Sequence, residues 1–248
     1  MKNIFNLIRF ILGLSLLIIM ISFSVKQMNS QYCNIKDIII EKDNDKNKFV
    51  TEKEVEDYLN KNTLNPQNMK IYNVSFKSIE EKLRKHHFIK DAKVYSDMFG
   101  NVSITVTQIR PIVRVQNNKV GYYIDEDGLR MPFSEMYTAR MLLVTGEINS
   151  VDEKDLFSLS AYIYTNQFLR KQIVQIDITD SKLLMLTRVG ETIEFGKIID
   201  IRKKFEKLIL YYEKGNQHNE EYKTINLEFN NQIVCKKKYN YEKYRTNR

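Results

Sequence analysis

The sixteen residues from Phe10 to Val25, FILGLSLLIIMISFSV, include no charged side chain. A membrane-spanning helix needs about 20 mostly apolar residues, so this run is slightly short by itself. The apolar residues before Arg9 lengthen it if the Arg9 guanidinium extends to the membrane surface. We therefore predict a membrane anchor over residues 7–28, preceded by a short cytoplasmic end at residues 1–6.

The charges that flank this run indicate how the anchor crosses the membrane. Lys2 and Arg9 lie on its N-terminal side, and positively charged flanks tend to stay in the cytoplasm. The bulk of the chain is then expected in the periplasm, held at the inner membrane by one span. A cleaved signal peptide is the alternative, but no small-residue cleavage site of the A-x-A kind follows the apolar run.

The net charge of +8 is concentrated near the C-terminus. Residues 236–248, KKKYNYEKYRTNR, include six Lys or Arg and one Glu and so contribute +5. A basic tail, assigned here to residues 239–248, is typical of a solvated segment, and it could also contact anionic lipid or an acidic partner. No helix-turn-helix, zinc-finger or RNP-like sequence accompanies it, so nucleic-acid binding is not predicted.

The sequence contains no recognisable catalytic or metal-binding pattern. Cys33 and Cys235 have neither zinc-type nor C-x-x-C spacing. His86 and His87 close a predicted helix, and His218 lies in a polar stretch. P-loop, H-E-x-x-H and G-x-S-x-G sequences are absent. We therefore predict no catalytic residue, no metal and no cofactor, although Ser, His and Asp side chains could still converge in space.

Three adjacent acids, Asp125, Glu126 and Asp127, precede Gly128 in the stretch YYIDEDGLRMPF. A calcium-binding EF-hand loop is excluded, because the alignment that fits Asp127 and Gly128 leaves Tyr and Ser at two essential ligand positions. Asp-Gly suits a type I′ turn, so we predict a β-hairpin that turns at these two residues. A carboxylate pair of a secreted hydrolase is the alternative interpretation.

Between the anchor and these acids, the pattern predicts the order β-α-α-β-β. Thr51 and Glu54 have the spacing of a capping box at the first helix. Asn73 or Ser75 is expected to cap the second helix. The predicted elements are a strand at 35–43, helices at 51–59 and 73–86, and a hairpin of 89–97 and 101–109.

The second half combines longer helices with short strands. One helix is predicted over DEKDLFSLSAYIYTNQFLRKQI, residues 152–173, and another over residues 200–214. The strands IVQIDIT, KLLMLTR and ETIEFG follow each other between these helices. The stretch INLEFNNQIVCKK, residues 225–237, is expected to end the fold as one or two strands.

The stretch HHFIKDAKVYSDMFGNVSITVTQIRPIVRV, residues 86–115, resembles a POTRA domain. The family pattern has a short helix, the sequence V-x-x-A-x-V, and a strand that ends at an acidic residue before proline. The matching positions are Ile89, Ala92, Val94, Gln108 and Pro111, with Gln in place of the usual Glu. The resemblance implies a POTRA domain over residues 33–110.

The rest of the chain resembles the FtsQ/DivIB family of bacterial cell-division proteins, and YTARMLLVTG resembles its Bacteroidetes branch. The acidic hairpin is similar to the one that leads into the family's second domain. Residues 225–237 are similar to the family's closing D-L-R-Y and Q-I-V sequences, with Asn226, Glu228 and Phe229 replacing Asp, Arg and Tyr. The resemblance implies an α+β fold: a transmembrane helix, a POTRA domain, and a mixed β-domain with flanking helices at 111–238.

The same resemblance implies a non-enzymatic divisome scaffold that links early and late division proteins at the septum. FtsB/FtsL-like partners would bind its β-domain by strand addition to an edge strand, for which INLEF is the candidate. The alternation of Ile225, Leu227 and Phe229 suits a buried core equally well. The candidate partner-binding residues are Ile225, Leu227, Phe229, Gln232 and Ile233.

Two further interpretations remain open at this point. The POTRA strand Val102–Thr107 offers a second surface for another division protein. A POTRA-bearing secretion or outer-membrane assembly factor is the main alternative function, beside an exported binding protein. Only about 100 residues with two good helices follow the POTRA-like region, whereas such assembly factors carry a long C-terminal barrel.

Overall fold

The computed structural model describes residues 2–29, 31–41, 48–117, 121–215 and 222–238. Its first element is the helix α1, Lys2–Asn29, and within it Phe5–Lys26 is long and apolar enough to cross a membrane. The side chains of this stretch are exposed on every side of the helix. An apolar stretch that the described residues leave unburied suits a lipid environment.

Two compact units follow from the contacts along the chain, Met1–Ile109 and Arg110–Arg248. After α1, the first unit has the predicted order β-α-α-β-β. Its elements are β1 (Asn34–Ile40), α2 (Glu52–Lys61), α3 (Phe76–Leu83), β2 (Ile89–Ser96) and β3 (Asn101–Gln108). The predicted end of the first strand, beyond Glu41, lies outside the described residues.

Local sequence explains where both helices of this unit begin. The Thr51 side chain accepts a hydrogen bond from the Glu54 N–H, and the Glu54 carboxylate accepts one from the Thr51 N–H at 2.7 Å. This is the predicted capping box, which satisfies two backbone donors at the start of α2. Of the two candidate caps for α3, Ser75 is the one used, and its hydroxyl accepts from the Ser78 N–H.

The three strands of the first unit form a sheet in the order β1-β3-β2. β2 and β3 are the predicted antiparallel hairpin, while β1 pairs with β3 in parallel. The inward positions of β3 and the apolar faces of α2 and α3 form one core, in which Leu59, Leu83 and Ile104 are fully buried. The proposed binding surface Val102–Thr107 is therefore wrong, because β3 has a strand neighbour on both sides.

The second unit begins directly after the first. Its strands are β4 (Pro111–Gln116), β5 (Gly121–Asp125), β6 (Arg130–Met131), β7 (Leu142–Gly146), β8 (Ile173–Thr179), β9 (Lys182–Thr187), β10 (Thr192–Gly196), β11 (Tyr222–Asn226) and β12 (Val234–Lys237). Its helices are α4 (Glu153–Thr165), α5 (Gln167–Gln172) and α6 (Ile201–Leu210), and a π-helical turn, Tyr211–Gly215, extends α6.

These nine strands form one mixed sheet, in the order β12-β11-β10-β9-β8-β7-β4-β5-β6. Parallel pairs join β4 to β7, β7 to β8, and β10 to β11. The helices pack on one face of this sheet, where Leu159, Phe205 and Ile193 are fully buried. On β9, Leu184 and Leu186 alternate with buried neighbours and are each 41% exposed. The predicted α+β fold with a mixed β-domain is confirmed.

One predicted helix is two helices. The run predicted over residues 152–173 is interrupted at Asn166, which ends α4 and caps α5. The Asn166 side-chain oxygen accepts a hydrogen bond from the Leu169 N–H at 3.1 Å. The prediction of a single helix was therefore wrong, because Asn is favoured at the start of a helix and is less favourable in its interior.

The acidic stretch forms the turn between β5 and β6, within the second unit. Asp125 is 4% exposed, and its Oδ1 accepts hydrogen bonds from the Asp127 and Leu129 N–H groups at 2.9 and 2.8 Å. Gly128 alone among Glu126, Asp127 and Gly128 has a positive φ, of 81°. The type I′ turn was therefore a wrong prediction, because that turn needs positive φ at both central residues.

Candidate partner-binding edge

The strand β12 forms one edge of the nine-stranded sheet in the part of the chain described. It pairs antiparallel with β11, so that Cys235 lies opposite Ile225 and Val234 opposite Asn226. Three of its four residues are exposed, and Cys235 is half-buried. An edge strand presents backbone N–H and C=O groups to solvent, which makes it a template for a further strand.

The structure separates the five predicted binding residues into a buried and an exposed group. Ile225 and Leu227 are completely buried in the core. Phe229 is 47% exposed and lies beyond the end of β11, Gln232 is exposed, and Ile233 packs partly against the core. Since β12 covers the outer side of β11, the prediction of INLEF as an edge strand was wrong.

The segment 227–233, which we call the edge loop, joins β11 to β12. It starts in register with the sheet, because the Leu227 N–H donates to the Glu194 carbonyl at 2.9 Å. The Glu228 N–H then donates to the Asn226 side-chain oxygen at 2.8 Å, which turns the chain out of the strand. The Lys207 ammonium of α6 donates to the Phe229 carbonyl. Hydrogen bonds at the Glu228 N–H and the Phe229 carbonyl thus hold the backbone that carries the exposed Phe229 ring.

Glu228, the second residue of the edge loop, forms an ion pair with a lysine of β9. Its carboxylate is 3.6 Å from the Lys182 ammonium, and both side chains are more than a third exposed. A Cβ placed at Gly196 would lie 2.7 Å from the Glu228 Cγ, so the glycine leaves room for the acid. The acid that stands in place of Arg in the D-L-R-Y-like sequence therefore pairs with Lys182.

Lys204 is the buried cation of the same region, at 6% exposure. Its ammonium donates to the Phe195 and Lys197 carbonyls at 2.8 and 2.9 Å and lies 4.5 Å from the centre of the Phe195 ring. Burial lowers the pKa of Lys204, while the negative charge of Glu228 acts against this shift. The lysine therefore fixes the end of β10, which precedes α6 and the edge loop.

Beneath β12, Cys235 contacts a group of aromatic side chains. Tyr211 hydrogen-bonds to Cys235, and the neighbouring Tyr212 hydroxyl donates to the Glu191 carboxylate. Burial raises the pKa of the Cys235 thiol and of both tyrosines, and the hydrogen bond to Glu191 adds to the shift of Tyr212. Cys235 and Cys33 are both free thiols. These contacts support the buried side of β12 without offering a reactive thiolate.

Sequence reasoning missed β12 itself as the edge. The residues VCKK are short and half polar, so they lack the alternating apolar pattern that identifies a strand. The lysines were nevertheless a usable signal, because natural edge strands are often short and rich in lysine.

Among the described residues, no group of three or more His, Cys, Asp or Glu side chains is placed to hold a metal. His86 packs on Tyr58 and Phe88, and His218 and the tail 239–248 lie outside the described residues. The Asp125 carboxylate accepts hydrogen bonds from backbone N–H groups of its own turn. The chemistry that the described edge offers is therefore backbone hydrogen bonding, one exposed aromatic ring and positive charge.

Comparison with known families agrees with this architecture. Residues 110–236 match the family model described as FtsQ/DivIB, C-terminal related, and residues 31–107 match the model of a POTRA-like domain. The first match covers 127 of the 248 residues, which is just over half of the chain. None of the curated proteins matches the chain.

Proposed function

The chain belongs to the FtsQ/DivIB family of cell-division proteins, and from this premise we propose that it is a non-enzymatic scaffold of the division septum. It links early and late division proteins, and its β-domain recruits FtsB/FtsL-like membrane partners. The observation that carries this proposal is the exposed edge strand β12 at the end of a large sheet.

Strand addition to β12 explains how such a partner binds. A partner segment in extended conformation would hydrogen-bond to the outer side of β12 and so extend the sheet by a tenth strand. Phe229 and Val234, 47% and 38% exposed, would supply the apolar contacts beside the new strand. Aromatic residues of this kind often dominate the binding energy of an interface.

The positive charges on β12 indicate which side chains a partner strand would carry. Lys236 and Lys237 are exposed on β12, and Lys238 follows them directly. The tail beyond them adds further positive charge in sequence. A partner strand with acidic side chains at the facing positions would therefore associate faster and in a defined register.

The proposed topology places the two folded units outside the cytoplasm. α1 would act as a single-pass anchor in the inner membrane with its N-terminus in the cytoplasm, as the flanking Lys2 and Arg9 favour. We keep the proposed domains as residues 33–110 for the POTRA domain and 111–238 for the β-domain. In this arrangement, β12 meets other membrane proteins of the septum on the periplasmic side.

Depletion of the protein in its native host tests the cellular role. We expect filamentous cells with separated chromosomes and few septa, because a missing scaffold stops constriction without stopping growth. Cells that divide normally after depletion would refute an essential septal role. They would favour the alternative function of a secretion factor or an exported binding protein.

Substitution of Phe229 tests the binding edge. Phe229→Glu should abolish capture of the native partner while the melting temperature stays near that of the wild type, since the ring is half exposed and outside the strands. Leu129→Glu is the matched control, because Leu129 is 66% exposed and lies between β5 and β6, at the opposite end of the sheet from β12. Unchanged binding by the Phe229 variant, or a large loss of stability, would contradict the proposed role.

A further inference from the structure

Large apolar side chains are exposed at the end of the first unit where the chain leaves the anchor. Tyr72 is 78% exposed, Phe99 71%, Met98 68% and Tyr32 60%. We call these four residues the anchor-side patch. Met98 and Phe99 form the tip of the β2–β3 hairpin, Tyr72 lies in the 3₁₀ turn Ile71–Asn73, and Tyr32 lies two residues before β1.

Backbone hydrogen bonds hold these three segments together. The Ile71 N–H donates to the Gln31 carbonyl at 3.0 Å, and the Asn34 N–H donates to the Gly100 carbonyl at 2.9 Å. A Cβ at Gly100 would lie only 2.4 Å from the Tyr32 carbonyl oxygen, which shows how closely the hairpin turn approaches the start of β1. The patch is therefore a defined feature of the fold at one end of the POTRA domain.

The turn itself does not require apolar residues. The Asp97 carboxylate accepts hydrogen bonds from the Phe99 and Asn101 N–H groups at 2.8 and 2.9 Å. Gly100 supplies the positive φ, of 90°. Asp97 and Gly100 thus make the turn, and Met98 and Phe99 add two apolar side chains that contribute nothing to its geometry. Exposed apolar residues grouped in this way mark a surface that something covers.

The short distance along the chain to the anchor indicates that lipid covers the anchor-side patch. Only five residues lie between Lys26, at the end of the apolar stretch of α1, and Tyr32, and the six Cα–Cα steps span at most about 22 Å. Tyr32 and the hairpin turn that contacts it therefore stay close to the bilayer that α1 crosses. Tyrosine rings favour the interface between water and lipid, where their apolar and polar parts are both satisfied.

We propose that the anchor-side patch docks the POTRA domain onto the bilayer surface, with Met98 and Phe99 entering the boundary between headgroups and acyl chains. The exposed Lys36 and Lys70 lie on the strand and the segment that carry the patch, and they favour anionic headgroups. The anchor makes docking intramolecular, so that a weak intrinsic affinity for lipid is sufficient. The consequence is a POTRA domain held at the membrane, which restricts where the rest of the chain can meet its partners.

The absence of tryptophan from the chain allows a direct test. We would introduce a single tryptophan, Phe99→Trp, into the full-length protein and reconstitute it into phosphatidylcholine–phosphatidylglycerol vesicles. The same protein would be reconstituted into vesicles whose acyl chains carry bromine, which quenches tryptophan fluorescence on contact. His87→Trp is the matched control, because His87 is exposed and precedes β2 at the end opposite to the hairpin turn, about 26 Å away along the strand.

The expected result is a blue-shifted emission and strong quenching for Phe99→Trp, and neither effect for His87→Trp. Tyr72→Trp, at a second position of the patch, should behave like Phe99→Trp. Emission of the two patch variants that matches the His87 control, and that bromine leaves unchanged, would overturn the proposal and assign the patch to a protein partner. Because the vesicles contain lipid alone, this outcome is independent of whether β12 recruits division proteins.

Discussion

At the scale of single residues, Asp125 illustrates how an acid that stands out in the sequence can have a structural role. Its carboxylate is buried and serves two backbone N–H groups of its own turn. Removing it leaves both donors without an acceptor, and an unsatisfied buried group costs about 1–3 kcal/mol. We therefore expect Asp125→Ala to lower the free energy of unfolding by about that amount, measured by urea denaturation.

A second variant separates this structural role from a catalytic one. Asp125→Asn keeps the side-chain oxygen that both N–H groups use, so it should recover most of the stability lost in Asp125→Ala. It should also support cell division as well as the wild type does. A stable Asp125→Asn protein that no longer supports division would contradict the structural role and revive the hydrolase interpretation.

His86 makes the stability of the first unit depend on pH. Burial lowers the pKa of His86 below 6.5, and the charge of His87 adds to the shift. The Phe88 N–H donates to the His86 Nδ1 at 3.4 Å, and the ring packs edge-on against Tyr58 at 4.8 Å. The folded state therefore binds a proton at His86 less readily than the unfolded state does.

This difference predicts the direction of the pH effect. Well above pH 6.5 the group is neutral in both states and contributes no pH dependence. Below that pH the unfolded state gains the proton first, so stability should fall as the pH falls through the lowered pKa of folded His86. Urea denaturation at pH 7.5 and 5.5, by a probe of the first unit, should show this loss. This loss should be reduced in His86→Phe and largely retained in His87→Gln, because burial is the larger cause of the lowered pKa. An equal loss in all three proteins would exclude His86 as its source.

At the scale of elements, patterns within one element predicted structure well, and pairings between distant segments did not follow from them. The capping box at Thr51 and the alternation around Ile104 both appear in the fold as expected, since their causes lie within a few residues. The position of β3 in the middle of its sheet depends on parallel pairing with β1, about 65 residues earlier in sequence. The buried Leu227 and the edge position of β12 likewise depend on the pairing of β11 with β10, which α6 separates in the sequence.

The capping box offers a test of how far one local motif sets stability. Thr51→Ala removes the hydroxyl that accepts from the Glu54 N–H, which should cost about 1 kcal/mol of unfolding free energy. Thr51→Ser retains the hydroxyl and is the matched control, expected to stay close to the wild type. Equal stability of the Ala and Ser variants would show that tertiary packing alone, through Val55 and Leu59, holds the start of α2 in place.

The edge loop is the element on which partner recognition should depend. Lys207→Met removes the hydrogen bond to the Phe229 carbonyl but keeps a long apolar side chain. We expect faster amide exchange in residues 227–233 and weaker partner binding. Lys203→Met is the control on the same helix, because Lys203 is 80% exposed and only reaches Asp200 at 3.8 Å. Equal exchange rates in both variants would show that the Lys207 contact does not hold the loop.

At the scale of the whole molecule, the fold combines one long, exposed apolar helix with two units that each have their own core. The family resemblance predicted this order because it rests on the succession of many weak patterns rather than on one motif. The candidate binding edge could not be predicted in the same way. Ile225 and Leu227 have the alternation of an interface strand, but a strand covered by a neighbour has the same alternation, so only strand order distinguishes the two.

The orientation of the chain across the membrane gives the last prediction. A reporter enzyme that needs disulfide bonds is active only outside the reducing cytoplasm. Fused after Arg248, it should be active in the full-length protein and inactive when residues 1–29 are deleted.

Lys2→Glu combined with Arg9→Glu should lower the activity of this reporter, because these cations favour a cytoplasmic N-terminus. Arg9 also stacks on the Phe5 ring at 4.4 Å, so Arg9→Gln alone is needed to separate loss of that contact from loss of charge bias. A reporter that is inactive in the full-length fusion would place β12 in the cytoplasm and exclude a periplasmic partner strand.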